Sequence, residues 1–277
     1  MGQAKFKQYN REKFLEKNPK CCYCGNDATT TDHCPPRAMV LNRIWPEGYE
    51  FPACHSCNQE ARKDEQILAM LSPMWFSRDQ TEAEAEHWRK QTKGLANNQP
   101  EVITEMLINS ERNKQRNEFR RLFGKEIGDE LRRRGYGIGV LGPLTQAAIR
   151  RFSIKLSKAL FYKHTKTILD GYLWAVHFTA ANRNDTSSVV ELMLRIAPME
   201  PETSRSGESL TNQFTYRYNY SDGPEPVLYA VVQFNDQLMF NITAASNLFI
   251  EAVGGSMGIL DQEPLSQWKI DARIINV

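Results

Sequence analysis

Apolar residues recur mostly at helical spacing over the first two thirds of the chain. Residues 3–17 predict a short amphipathic helix that ends before Asn18-Pro19. A second helix is predicted from Asn58 to about Leu71, where Ser72-Pro73 stops it. Further helical segments are predicted at residues 79–94, 100–134 and 145–169, with a break at 95–100. The last of these is strongly periodic and basic.

Strands are predicted in two places. Two short candidates, 38–41 and 49–53, lie in a segment rich in cysteine, proline and turn residues. Beyond residue 170 the spacing becomes alternating, as in FTYRYNY, which predicts an antiparallel meander. Its strands cover residues 214–220, 227–234 and 237–243, and 189–196 fits either a helix or a strand.

These elements predict an α+β protein with an uneven distribution of charge. Residues 101–170 carry 15 Lys and Arg against 8 Asp and Glu, whereas the end of the chain is acidic. We therefore expect a small metal-binding domain at 1–75, a helical basic connector at 76–143 and an α+β accessory domain at 144–277, antiparallel and β-rich. No apolar run is long enough to span a bilayer and no secretion signal is visible, so we expect a soluble, cytoplasmic protein with no membrane partner.

All six cysteines lie near the N-terminus, which points to metal or redox chemistry in one small module. Four of them form two Cys-x-x-Cys pairs, Cys21/Cys24 and Cys54/Cys57, the spacing of a tetrahedral structural zinc site. Gly25 suits the tight turn of a zinc knuckle. Cys22 could replace Cys21 at a poorer spacing, and we interpret Cys34 as a non-ligand.

Zinc alone would indicate only a zinc ribbon used for folding or for protein contacts, which is the commoner meaning of this spacing. Two further features favour a catalytic site: the pair Asp32-His33 between the knuckles, and Asn58 directly after the last cysteine. The run CCYCGN…TTDHCPPR…FPACHSCNQEARKDE, over roughly residues 18–70, resembles the HNH or ββα-metal endonucleases. The similarity is to the subgroup whose finger is held by two zinc knuckles, as in phage enzymes that resolve DNA junctions.

The resemblance implies a zinc-stapled ββα-metal finger in which His33 is the general base, and Asp32 and Asn58 bind a catalytic Mg²⁺ or Mn²⁺. A neutral imidazole can take a proton from water near pH 7. A hard cation with oxygen ligands can stabilise the phosphodiester transition state. The resemblance is also compatible with a role in bacterial defence or in a mobile element, and a weaker likeness to uncharacterised bacterial HNH-like proteins extends into the C-terminal half.

The chain departs from the family pattern at one position. The middle Asn of the motif is replaced by Tyr49, and Asn42 stands nearby at the wrong spacing. That Asn usually holds the loop that orients the histidine, so the departure concerns loop geometry more than chemistry. Pro35-Pro36 could hold the loop instead.

Basic residues near the motif are candidates for nucleic-acid contacts. Arg37 could contact the scissile phosphate, and Arg62 and Lys63 follow Asn58; a solvated basic face explains all three equally well. Three basic stretches could track a DNA backbone, at 111–121, 131–134 and 150–158.

The sequence therefore predicts a metal-dependent endonuclease acting on DNA, most naturally double-stranded. The alternative is a catalytically inactive zinc-finger protein that binds nucleic acid or a protein. A third reading is a nuclease kept inactive until a partner, a second copy or a small molecule engages the C-terminal domain.

Overall fold

The computed structural model describes residues 3–73, 81–107, 116–117, 120–121, 124–126, 129, 141–179, 195–235 and 238–253. The described helices are α1 (Gln3–Lys17), α2 (His55–Glu60), α3 (Arg62–Leu71), α4 (Glu82–Asn98), α5 (Pro100–Leu107), α6 (Pro143–Thr165) and α7 (Asn247–Val253). The strands are β1 (Thr30–His33), β2 (Glu50–Ala53), β3 (Tyr172–Thr179), β4 (Ser204–Arg205), β5 (Glu208–Ser209), β6 (Phe214–Ser221), β7 (Val227–Phe234) and β8 (Leu238–Ala245). None of the helices in these ranges is long and apolar enough to cross a membrane.

Helices and antiparallel sheets are combined as the sequence predicts. Strands β6, β7 and β8 form the expected meander, and β3 pairs with the other edge of β8 to give the order β3-β8-β7-β6. A separate two-stranded sheet joins β1 to β2 near the N-terminus. The mixed α+β class, with a cysteine cluster near the N-terminus, is confirmed.

Some boundaries differ from the sequence prediction. The strand predicted at 38–41 is wrong: two 3-10 turns, Arg37–Met39 and Leu41–Arg43, occupy this region. The strand was predicted from the apolar residues Met39 and Val40. Both are buried, but they lie in this turn region and not in a strand. The strand at Thr30–His33 was not predicted, because two threonines before an acid and a histidine lack apolar alternation.

The predicted helix from Asn58 to Leu71 is present as the end of α2 followed by α3, and the predicted break at 95–100 contracts to Gln99. The segment 189–196 and the basic stretches 111–121 and 131–134 lie largely or wholly outside the described residues.

Helix α6 lies at the centre of the molecule. Phe152 on this helix packs against Phe234 and Phe240 of the sheet, and other α6 residues pair with the N-terminal region, as described below. The helix therefore carries many buried residues, including Ile149, Leu156 and Phe161. The N-terminal region and the four-stranded sheet share one continuous core through it.

A buried aromatic cluster fixes the N-terminal region against the sheet. The Tyr49 hydroxyl donates a hydrogen bond to the Tyr216 hydroxyl at 3.1 Å. His164 Nε2 lies 2.9 Å from the same Tyr216 oxygen, and the His164 ring stacks on Tyr218 with centroids 4.0 Å apart. Burial, with the nearby charges of Lys163 and Lys166, lowers the pKa of His164 to about 4.

The low pKa of His164 predicts a stability loss in mild acid. An unfolded histidine binds a proton near pH 6.5, whereas the folded protein does so only near pH 4, so falling pH favours the unfolded state over that window. We expect His164→Gln, which cannot titrate, to lose stability less steeply between these values. Urea unfolding at a series of pH values measures this, and parallel curves for the two proteins would contradict it.

Candidate functional site

Four thiols converge at the N-terminal end of the molecule. The sulfur atoms of Cys21, Cys24, Cys54 and Cys57 all lie within 4.8 Å of one another. The Sγ atoms of Cys24 and Cys54 are 3.7 Å apart. A tetrahedral zinc with Zn–S bonds of ~2.3 Å needs sulfurs separated by ~3.8 Å, so the cluster fits such an ion. These four cysteines could hold a metal such as zinc.

Local backbone geometry explains how the cysteines meet. After Cys21 the chain reverses in a tight turn, with the Gly25 N–H donating to the Cys21 carbonyl at 2.9 Å and Gly25 at φ +79°. The second pair sits at the start of α2, where the Cys54 sulfur caps the helix by accepting from the Cys57 N–H. That N–H lowers the pKa of the Cys54 thiol and so favours the thiolate that a metal binds.

The other two cysteines are not in the cluster. Cys22 and Cys34 are fully buried, and burial raises the pKa of each thiol well above its usual value. Among the residues that the structure describes, the four-cysteine group is the one cluster of metal-binding side chains. The choice between Cys21 and Cys22 is therefore settled in favour of Cys21.

Asp32 and His33 point to opposite faces of β1, as adjacent residues of a strand do. Asp32 is 5% exposed and faces the interior. His33 faces the other side of the strand and is partly exposed. The sequence places the two side by side, but the strand gives them different surroundings.

The Asp32 carboxylate is enclosed by hydrogen-bond donors. Its Oδ2 accepts from the Tyr23 hydroxyl at 2.7 Å and lies 2.6 Å from Lys155 Nζ. Its Oδ1 accepts from the His33 N–H at 2.9 Å. Lys155 also pairs with Glu65, so one ammonium group serves two carboxylates. Burial raises the pKa of Glu65 to about 7, although the Lys155 charge acts in the opposite direction.

This arrangement does not fit the divalent metal that the family resemblance places on Asp32. A cation there would meet the Lys155 ammonium 2.6 Å from the same carboxylate oxygen, with no carboxylate edge left exposed. The positive charge that Asp32 needs is already supplied by the protein. Binding of Mg²⁺ or Mn²⁺ by Asp32 would require Lys155 to move.

His33 lies beside a carboxylate and an indole. Glu50 is its register partner across the β1–β2 pair, and His33 Nε2 is 3.6 Å from Glu50 Oε1. The adjacent imidazole of His33 holds the pKa of Glu50 below its usual value. Trp45 packs edge-on against the imidazole with ring centroids 4.5 Å apart. These contacts orient the ring while leaving the side chain 20% exposed.

Asn58 and Tyr49 tie the surrounding segments to β1 and its following loop. The Asn58 Nδ2 donates to the Thr31 carbonyl at 3.2 Å, which brings the start of the helical region to the strand that carries Asp32 and His33. The Tyr49 carbonyl accepts from the Cys34 N–H at 3.2 Å. Tyr49, at the position of the missing motif Asn, therefore holds the loop after His33 through its backbone.

The predicted nucleic-acid contacts fall in two locations. Arg37 stacks on Trp45, with its Cζ 3.9 Å from the ring centroid, and so lies near His33. Arg62 and Lys63 are exposed at the start of α3. The structure brings Arg37 towards the histidine and places Arg62 and Lys63 on an open helical surface.

Three cations of α6 are paired within the protein, although only Lys155 is buried. Arg151 forms a two-point ion pair with Asp64, and Lys158 Nζ donates to the Tyr23 carbonyl at 2.7 Å. Together with Lys155, these contacts fix α6 against α3 and the knuckle. Three of the cations in 150–158 thus serve packing, so a role in DNA binding does not rest on them.

Three residues of the site could not be found from sequence reasoning. Trp45 and Glu50 belong to no motif with a fixed spacing. Their position between the two Cys-x-x-Cys pairs is the one feature of the sequence that could have indicated them. Lys155 was noted only as part of the basic stretch 150–158, because its contact with Asp32 depends on how α6 folds back onto β1.

Comparison with protein-family models, with curated proteins and with solved structures gave no match to this chain. The resemblance to the HNH endonucleases therefore rests on the motif residues of the sequence alone.

Proposed function

We propose that the chain is a DNA endonuclease whose N-terminal segment is a zinc-held ββα finger. The observation that carries the proposal is the position of His33 on the β1–β2 pair. It lies partly exposed between Glu50 and Trp45, with the four-cysteine cluster holding the following helix against the strand. Two antiparallel strands, a following helix and four clustered cysteines that could hold zinc are the parts that such a finger requires.

The chemistry assigned to the finger is hydrolysis of a phosphodiester bond. In this proposal His33 accepts the proton of the attacking water, and the nearby Glu50 carboxylate stabilises the imidazolium that forms. Arg37 beside Trp45 supplies positive charge for the phosphate. Zinc, when bound by the four thiolates, supplies structural cross-linking that keeps strand and helix together.

The requirement for a catalytic Mg²⁺ or Mn²⁺ is kept as a separate part of the proposal. Asn58 contacts β1 next to Asp32, which supports a shared role for the two residues. The ion pair between Asp32 and Lys155 opposes it. Cleavage assays with Mg²⁺, with Mn²⁺ and without added divalent cation test the metal requirement by itself.

Replacing His33 by alanine is expected to lower the rate of DNA nicking by ~10²–10⁴-fold, because the water loses its general base. Supercoiled plasmid is incubated with wild type and with His33→Ala, and nicked product is followed by gel electrophoresis. His55→Ala, which removes an exposed histidine of the same segment, is the matched control and is expected to retain activity.

Each result of this assay has a defined meaning. Equal nicking by wild type and His33→Ala contradicts the assignment of the base. Cleavage without any divalent cation contradicts only the metal requirement. A wild type that nicks nothing under any condition contradicts the hydrolase and favours the silent zinc-binding protein, for which the buried ion pair of Asp32 is the supporting observation.

A further inference from the structure

Two guanidinium groups from distant parts of the chain meet on one indole ring beside His33. The Cζ atoms of Arg37 and Arg205 lie 3.9 Å and 3.8 Å from the centroid of Trp45. The same ring packs edge-on against His33. Trp45 therefore contacts both cations and the imidazole.

Arg205 belongs to the C-terminal half, on the short hairpin β4–β5. Ser206 and Gly207 at its tip both have positive φ, 51° and 82°, as in the tightest two-residue hairpins. The Glu47 N–H donates to the Ser204 carbonyl, and the Ser206 N–H donates to the Glu47 carboxylate, each at 2.9 Å. Arg205 itself donates to the Trp45 carbonyl at 3.2 Å. The hairpin is thus fixed to the loop before β2.

These cations are not neutralised by direct ion pairing. In the part of the chain that the structure describes, neither Arg37 nor Arg205 has a carboxylate within ion-pairing distance, and Arg37 Nε is buried with no hydrogen-bond partner. Burial, together with the like charges of Arg43 and Arg205, lowers the pKa of Arg37. Glu50 is the nearby acid that acts on both, and it already faces His33.

Clustered arginines stacked on an aromatic ring are suited to a phosphate oxyanion. The planar guanidinium offers paired N–H donors to phosphate oxygens, and stacking on the indole holds that plane in position. A phosphate bound here would relieve the repulsion between the guanidinium groups. Such a phosphate would lie beside the indole that packs against His33.

We propose that Arg205 and Arg37 form a phosphate clamp on Trp45 that grips the DNA backbone beside His33. The C-terminal half then contributes directly to the substrate site through its hairpin. This inference rests on the proposed function for the identity of the polyanion, and it assigns the phosphate contact to a residue far outside the motif.

The test is salt-dependent binding of a short fluorescein-labelled DNA duplex, followed by anisotropy without added divalent cation. The slope of log K against log salt is negative, and each phosphate contact that is lost lowers its magnitude by ~0.9. We expect Arg205→Gln to lower the magnitude of this slope by about one and to lower the affinity several-fold. Arg89→Gln is the matched control, since Arg89 is an exposed arginine of α4 paired with Glu82 and Glu86, and it is expected to bind like wild type.

Further measurements guard against misfolding and against other phosphate ligands. Arg205→Lys keeps the charge but loses the planar stack, so we expect it to retain the slope and bind a few-fold more weakly. Zinc content and melting temperature are compared for all variants. Inorganic phosphate at equal ionic strength is the competitor, and full displacement of the duplex at millimolar phosphate would assign the clamp to a small anion and overturn the DNA assignment.

The clamp and the hydrolase can fail separately. Equal slopes and affinities for wild type and Arg205→Gln, or a wild type that does not bind the duplex, overturn the clamp. Binding that depends on Arg205 in a protein that cleaves nothing supports the clamp and contradicts the hydrolase. Cleavage that is unchanged by Arg205→Gln supports the hydrolase and contradicts the clamp.

Discussion

Replacing Lys155 by methionine is expected to lower the free energy of unfolding by about 3–5 kcal/mol, the usual cost of leaving buried charges without their partner. Asp32 is 5% exposed, the Lys155 side chain 9% and that of Glu65 16%, so water cannot replace the missing ammonium. Urea unfolding followed by circular dichroism measures the loss. No other single charge in the described residues holds two buried carboxylates in this way.

Lys158→Met on the same helix is the matched control. Lys158 donates one hydrogen bond, to the Tyr23 carbonyl, and its loss is expected to cost about 1 kcal/mol. The penalty at Lys155 is also expected to shrink as pH falls, because the unpaired carboxyls then bind protons in the folded state. A loss for Lys155→Met no larger than that for Lys158→Met, at neutral pH, would show that the ion pairs are not buried as described.

Cys57→Ser is expected to release the bound metal and unfold the segment around the cluster. Apparent zinc-binding free energies of about 10–16 kcal/mol in zinc-finger peptides match or exceed the whole stability of a typical domain, about 5–15 kcal/mol. Metal analysis is expected to find one zinc per wild-type chain and a strong deficit in the variant. Limited proteolysis should then cut between residues 18 and 60.

Cys34→Ala provides the comparison for this experiment. Cys34 is buried but lies outside the four-sulfur group, so this variant is expected to lose some packing energy and keep its zinc. Full zinc content in Cys57→Ser, or loss of zinc in Cys34→Ala, would contradict the ligand assignment.

Local patterns were sufficient for the elements that depend on local sequence. The Cys-x-x-Cys spacing predicted the cluster, because a knuckle turn and a helix N-terminus each place two thiols a fixed distance apart. Alternation predicted β6, β-rich composition predicted β7, and a turn followed by apolar residues predicted β8. The assignments of His33 as the base and of Asn58 as a ligand stay predictions.

Tertiary contacts explain what the sequence could not reveal. The cations of α6 form a charged pattern typical of a solvated or DNA-binding face, yet Lys155 and Arg151 turn towards acids of α3 and β1. Arg205 lies in a two-residue strand with no apolar periodicity, and only the packing of its hairpin on the loop before β2 brings it to Trp45. Neither contact has a spacing that a linear pattern could record.

The central position of α6, packed against both the N-terminal region and the sheet, has a consequence for how the chain can be divided. A fragment ending near residue 75 would expose the apolar surface that α6 covers and would leave Asp32 without a cation. Such a fragment would lack the cooperativity of the intact chain, whose N-terminal region and four-stranded sheet should unfold in a single transition. We therefore expect that the cysteine-bearing segment cannot be moved into another protein by itself, because its stable fold requires α6 as well.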